Sequence, residues 1–101
     1  MTDLNKIQEQ IKPILQEYNV GYCGVFGSFA RGDERPNSDL DLLVEFTKPI
    51  GLFDLVGMEQ ELTEKLGRKV DVLTVGTDFN PIFKKHMEKD LKHIYGPART
   101  R

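Results

Sequence analysis

Between residues 3 and 18 the apolar side chains fall at Leu4, Ile7, Ile11, Ile14, Leu15 and Tyr18. Recurrence every three or four positions gathers them on one face of an α-helix. The pattern predicts an amphipathic helix packed on a core, with Thr2 or Asp3 as its cap. Pro13 falls inside the run and removes one backbone donor, so a kink or irregular turn is expected there. The period then changes. VGYCGVFG (20 to 27) is short, apolar and closed by glycine, which suits a strand buried on both faces. SFARG opens a helical turn, DERPNS is polar turn material around Pro36, and DLDLLVEF (39 to 46) returns to a strand pattern.

TKPIG breaks that strand. Leu55, Met58, Leu62 and Leu66 then form one stripe of a helix over 52 to 66, with Gly67 as its stop. RKVDVLTV (68 to 75) reads as a third strand. Asn80 and Pro81 supply an N-cap and a proline at the first helical position. Phe83, Met87, Leu91 and Ile94 share a face of the helix that follows, Gly96-Pro97 ends it, and the tail 97 to 101 is expected to fray. Leu52 and Phe53, after the Pro-Gly turn, are expected in the core. Alternating helices and strands predict an α/β (α+β) domain: a small mixed sheet of three or more strands flanked by helices.

Composition narrows this picture without redirecting it. With 101 residues, 39% hydrophobic and 30% charged, the chain suits one small domain spanning 1 to 101. A balance of 14 basic against 16 acidic residues, net −2, argues against a protein that coats nucleic acid. MTDLNKIQEQIK is charged almost at once, unlike a secretory leader, and no run approaches the ~20 apolar residues of a membrane span. Cys23, the single cysteine, lies in an apolar run and reads as a small buried residue. His86 and His93 have no zinc-like spacing and read as surface residues. Lys84, Lys85, Lys89 and Lys92 read as the solvated side of the last helix. A reducing cytoplasm is the expected compartment.

The chemistry sits in the acids. Residues two apart in a strand share a face, so Asp39 and Asp41 project together while Leu40 and Leu42 project the other way. Two carboxylates at that separation repel, and partial burial adds to the cost of charging either. A divalent cation with hard oxygen ligands offsets both effects, and Mg²⁺ shares its shell with phosphates. Asp71, flanked by Val70 and Val72, is a third acid in an apolar strand, with a salt bridge to Arg68 or Lys69 as the plainer alternative. Gly27-Ser28 lies at a strand-to-helix turn, where backbone N–H groups can seat phosphate oxygens. Arg31 can reach phosphate or pair with Asp33 or Glu34. Neither a P-loop nor a dinucleotide-binding glycine motif occurs, and no G-x-S-x-G elbow makes Ser28 a hydrolase nucleophile.

The spacing of these parts is more specific than any one of them. Gly-Ser, ten residues, D-x-D running into L-L-V, and a V-D-V strand after a helix resemble the minimal nucleotidyltransferases of the DNA polymerase β superfamily. The resemblance covers roughly residues 20 to 75 and includes S-D-L-D-L-L-V and L-G-R-K-V-D-V-L-T. It implies a polymerase-β-like fold, with Asp39 and Asp41 holding two Mg²⁺ ions. Asp71 would be the third metal ligand and the base for an attacking hydroxyl, and Gly27 and Ser28 would hold the triphosphate. In its shortness the chain is similar to antitoxins paired with HEPN-domain RNases. That resemblance implies AMP transfer from ATP to a tyrosine hydroxyl of such a toxin, in a hetero-oligomer, with no membrane or direct nucleic-acid partner. Two alternatives are a non-catalytic antitoxin that occludes its partner and transfer to a small molecule such as an aminoglycoside.

Overall fold

The computed structural model describes residues 4–76 and 79–97. The elements run α1 (Leu4–Glu17), β1 (Val20–Phe26), α2 (Ser28–Arg31), β2 (Leu40–Phe46), α3 (Leu52–Leu66), β3 (Val70–Thr74), α4 (Pro81–Asp90) and β4 (Lys92–Tyr95). The strands form one sheet in the order β3-β2-β1-β4. Both pairs involving β1 are antiparallel, whereas β2 and β3 run parallel. A parallel pair needs a crossover rather than a tight turn, and α3 is that crossover.

Strand alternation sorts the side chains onto two faces. One face carries Cys23 and Val25 of β1, Leu40, Leu42 and Val44 of β2, and Val70 and Val72 of β3. Helices α1 and α3 cover it with Ile7, Ile11, Leu15, Met58 and Leu62. The opposite face gathers Tyr22, Phe26 and Leu43 under Met87 of α4. That cover is a single ten-residue helix, so this face is only partly roofed.

Most predicted elements appear with their bounds shifted by a residue or two. Helix α1 continues through Pro13 as one helical segment. Thr2 and Asp3, offered as its cap, lie outside the described residues, as do 98 to 101 of the expected frayed tail. Gly67 caps α3, its N–H donating to the Thr63 carbonyl at 2.9 Å. The Asn80 side chain caps α4, accepting from the N–H of Ile82 at 2.9 Å. Cys23 is buried, and burial pushes its thiol up to about 12, so it is an inert core residue.

Two expectations are corrected. The last helix does not run to Ile94. It stops at Asp90, Leu91 turns extended (φ −60°, ψ 126°), and Lys92–Tyr95 pair with β1 as β4. The pairing satisfies the outer edge of β1, which a helix here would leave without ladder partners. It also sends Ile94 into the core at 4% exposure. Lys92 and His93 therefore belong to the sheet edge rather than a helix face, and the His93 ring stacks on Tyr22 with centroids 5.8 Å apart. Secondly, Leu52 and Phe53 are not core residues. They are 73% and 92% exposed on the first turn of α3, outside the buried Met58 and Leu62 stripe.

Candidate functional site

Asp41 and Asp71 are direct partners across the parallel β2–β3 pair. Their neighbours Leu40, Leu42, Val70 and Val72 all point into the helix-covered core, so both carboxylates stand on the other, partly roofed face. Parallel neighbours are about 4.8 Å apart at the backbone, which places two acids side by side at the same end of both strands. Asp39 lies one residue before β2 begins and is exposed. The three acids thus lie toward one end of the sheet.

On its other side Asp41 pairs with Phe26, the last residue of β1, and the turn that follows closes over it. Gly27 has φ 75° and ψ −152°, a backbone conformation open in practice only to glycine. A Cβ built there would lie 2.5 Å from Oδ2 of Asp41. The glycine is needed twice, for the turn and for the space the carboxylate occupies. Ser28 begins the four-residue α2, whose carbonyl contacts are local: the N–H of Arg31 donates to Gly27 at 3.1 Å and that of Gly32 to Ser28 at 2.9 Å. The two ends of the G-S to D-x-D stretch, ten residues apart in sequence, therefore meet at Asp41.

The electrostatics follow from this crowding. Burial first, then the charges of Asp71 and Asp39, push the Asp41 carboxyl from 3.8 up to about 6, while Arg31 pulls the other way. The Asp41 carboxylate accepts no hydrogen bond among the described residues that would hold its charge. Asp71 has Lys69 nearby, Nζ to Oδ1 3.8 Å, with the lysine side chain 68% and the aspartate 41% exposed. Such an exposed, long contact contributes little. Arg31 adopts the plainer of its two predicted arrangements. It pairs with Asp33 at 3.2 Å and also with Asp90 at 2.7 Å, which joins α2 to the end of α4.

The donor set fits a hard divalent cation. Two carboxylates are held in register, a third is adjacent, and burial together with that crowding resists the ionisation of Asp41. Among the described residues the acids are not already drawn into a closed group of three.

Sequence reasoning missed how Asp71 is held. β3 is an edge strand, and its outward N–H groups are taken up by α3. Val70 N–H donates to Thr63 Oγ1 at 3.2 Å and Val72 N–H to Glu59 Oε2 at 2.9 Å. The two acceptors are four residues apart, one helical turn, and they flank Asp71 on both sides. The same contacts blunt the edge against strand addition. Glu59 and Thr63 carry an i, i+4 spacing that any solvated helix face could show, so no signal marked them.

An open groove of about 640 Å³ lies elsewhere, at the far end of β2, between Val44, Phe46, Ile50, Leu52, Leu55 and Val75. It includes none of the predicted site residues.

The strain at Asp41 has a measurable consequence. Because the folded state binds this proton more tightly than the unfolded chain, the charged carboxylate destabilises the metal-free fold above about pH 6 and has no effect below about pH 4. Asp41→Asn should therefore raise Tm at pH 7.5 in the presence of chelator and leave it nearly unchanged at pH 4. An equal shift at both values would contradict this electrostatic account.

The family described as polymerase beta nucleotidyltransferase matches residues 9–100. A Methanocaldococcus jannaschii protein provisionally named a protein adenylyltransferase is 38% identical over 95 residues, covering 93% of this chain and 97% of that protein. Among solved structures, a chain of a toxin–antitoxin complex with AMP-PNP superposes with a TM-score of 0.76 at 20% identity, over 89% of this chain and 73% of that one. A chain from a tri-AMPylated Shewanella oneidensis HEPN toxin in complex with an MNT antitoxin gives 0.71 at 15% identity, over 94% and 74%. At those identities the two structures establish a shared fold. No helix among the described residues is long and apolar enough to cross a membrane. With the family match spanning nearly all of the chain and the paired acids meeting the Gly-Ser turn, the chain belongs to the polymerase β nucleotidyltransferase family.

Proposed function

We propose that this chain transfers AMP from ATP to a tyrosine hydroxyl of a HEPN-domain toxin and acts as its antitoxin. One observation carries the reading: Asp41 and Asp71 are held in register beside Gly27, with burial and the neighbouring carboxylates pushing the Asp41 carboxyl up. The names of relatives and neighbours support it, since one relative is called a protein adenylyltransferase and one neighbour in fold is held with an AMPylated HEPN toxin.

Asp39, Asp41 and Asp71 would hold Mg²⁺, two ions in the full site. When bound, the metal offsets the clustered carboxylate charge and neutralises charge developing on the triphosphate. Gly27 and Ser28 would orient the triphosphate through backbone N–H groups and the Ser28 hydroxyl, and Arg31, at the end of the same turn, would leave its Asp33 and Asp90 pairs to meet a phosphate. The tyrosine oxygen attacks the α-phosphorus, the bond from that phosphorus to the bridging oxygen breaks, and pyrophosphate leaves. Asp71, exposed enough to meet an incoming side chain, accepts the phenolic proton. The whole chain acts as one domain, in the cytoplasm, with the toxin as its macromolecular partner.

Label position tests this. Incubation with toxin, Mg²⁺ and ATP labelled at the α-phosphate should label the toxin, whereas label at the γ-phosphate should leave with pyrophosphate. Transfer of the γ-label instead would mean phosphorylation and would overturn the reading. Neutralisation by binding alone is the second reading. Leu52, Phe53 and Val56 favour it, since they expose an apolar surface beside the groove on α3.

A further inference from the structure

Three short segments must keep a fixed relation for the site to work: the Gly27-Ser28 turn, the entry to β2 with Asp39, and the start of β3 with Asp71. The entry to β2 carries little structure of its own at the point that matters. Asp39 precedes the β2 ladder and is exposed. The loop before it is closed only locally, by Ser38 N–H donating to the Arg35 carbonyl at 2.9 Å and Arg35 N–H donating to Ser38 Oγ at 2.7 Å.

The Arg68 side chain contacts the first two, and Arg68 leads directly into the third. Its guanidinium lies over the Phe29 ring, 4.7 Å from the centroid, and Phe29 directly follows Ser28. Its Nη1 donates to the Ser38 carbonyl at 2.8 Å, in the peptide that leads into Asp39. Arg68 lies two residues before β3 begins and three before Asp71, and the adjacent Lys69 carbonyl accepts from Leu40 N–H at 3.0 Å. The side chain is half-buried and Phe29 is 3% exposed. Among the described residues Arg68 pairs with no carboxylate.

We propose that Arg68 is a positioning residue that joins the phosphate turn, the Asp39 entry and the Asp71 strand into one rigid unit. The chemistry requires arginine. A planar guanidinium can stack on a ring and donate in its own plane at once, which an ammonium cannot do. A merely electrostatic role, lowering the repulsion among the acids, would need only the charge. Arg68→Lys separates the two. It keeps the charge and loses the stacked, in-plane donor.

The inference rests on the nucleotidyl-transfer reading for its kinetic arm and on geometry alone for its exchange arm. In Arg68→Lys, amide exchange across Ser38–Leu40 should accelerate while the rest of the sheet keeps its protection. The kcat for AMP transfer should fall roughly 10- to 100-fold, the scale of a displacement of about 1 Å in an active site. Phe29→Leu, which removes the ring and leaves the arginine, should accelerate exchange in the same segment. It stands as the test if Arg68→Lys fails to fold. Wild-type exchange at Ser38–Leu40 in either folded variant, or wild-type kcat in Arg68→Lys, would overturn the proposal. Absence of transfer by the wild-type protein would instead overturn the functional reading, and the exchange result would still decide the role of Arg68.

Discussion

Replacing Asp39 and Asp41 together by alanine should lower AMP transfer by on the order of 10³-fold, the scale on which loss of a group that stabilises transition-state charge is felt. The effect should not come through unfolding. Neither carboxylate has a hydrogen-bond or ion-pair partner among the described residues, and the charge on Asp41 is a liability to the metal-free fold. Thermal melts of the double variant should therefore match or exceed the wild type at neutral pH while the transfer assay goes blank. The same variant separates the two modes of neutralisation. If it still silences the toxin at stoichiometric amounts, binding through a surface such as Leu52, Phe53 and Val56 suffices and catalysis is dispensable.

Gly27→Ala should lose both stability and activity, and the loss of activity should be the larger. An alanine at φ 75°, ψ −152° costs about 1–3 kcal/mol in backbone strain. In a domain of this size each kcal/mol lowers Tm by roughly 4–8 °C. The added methyl would also sit 2.5 Å from Oδ2 of Asp41, so the carboxylate must move. Gly32→Ala is the matched control: its φ is 80°, yet a Cβ there meets nothing within 4 Å. Melting and steady-state transfer should both fall for Gly27→Ala, whereas Gly32→Ala should lower Tm and leave kcat near that of the wild type. Equal activity in the two variants would remove Asp41 from the explanation.

The sequence pattern carried three of the four strands and the face on which each acid stands, because alternation along a strand is local. Alternation around Asp39, Asp41 and Asp71 announces their face before any contact is known, and the i, i+3, i+4 stripe of α3 places the crossover. What it missed depends on partners distant in sequence. Lys92–Tyr95 continue a helical stripe on paper, and only the open edge of β1, about 70 residues earlier, turns them into a strand. Leu52 and Phe53 have the composition of core residues. Their exposure is set by where the buried stripe of α3 begins, which the residues themselves do not encode. The Arg31 to Asp90 contact spans 59 residues, and the link from Arg68 to Ser38 spans 30. Neither leaves a motif. Gly27 is the instructive middle case: its place before serine predicted a phosphate turn, while its second duty, making room for Asp41, became visible only in three dimensions.

The most direct test is the intact mass of the toxin after incubation with this protein, ATP and Mg²⁺, followed by mapping of the modified residue. The account predicts a mass gain of one or more AMP groups on tyrosine, dependent on Mg²⁺ and absent with the Asp39→Ala, Asp41→Ala variant. A toxin that binds this protein stably and emerges with unchanged mass would contradict it.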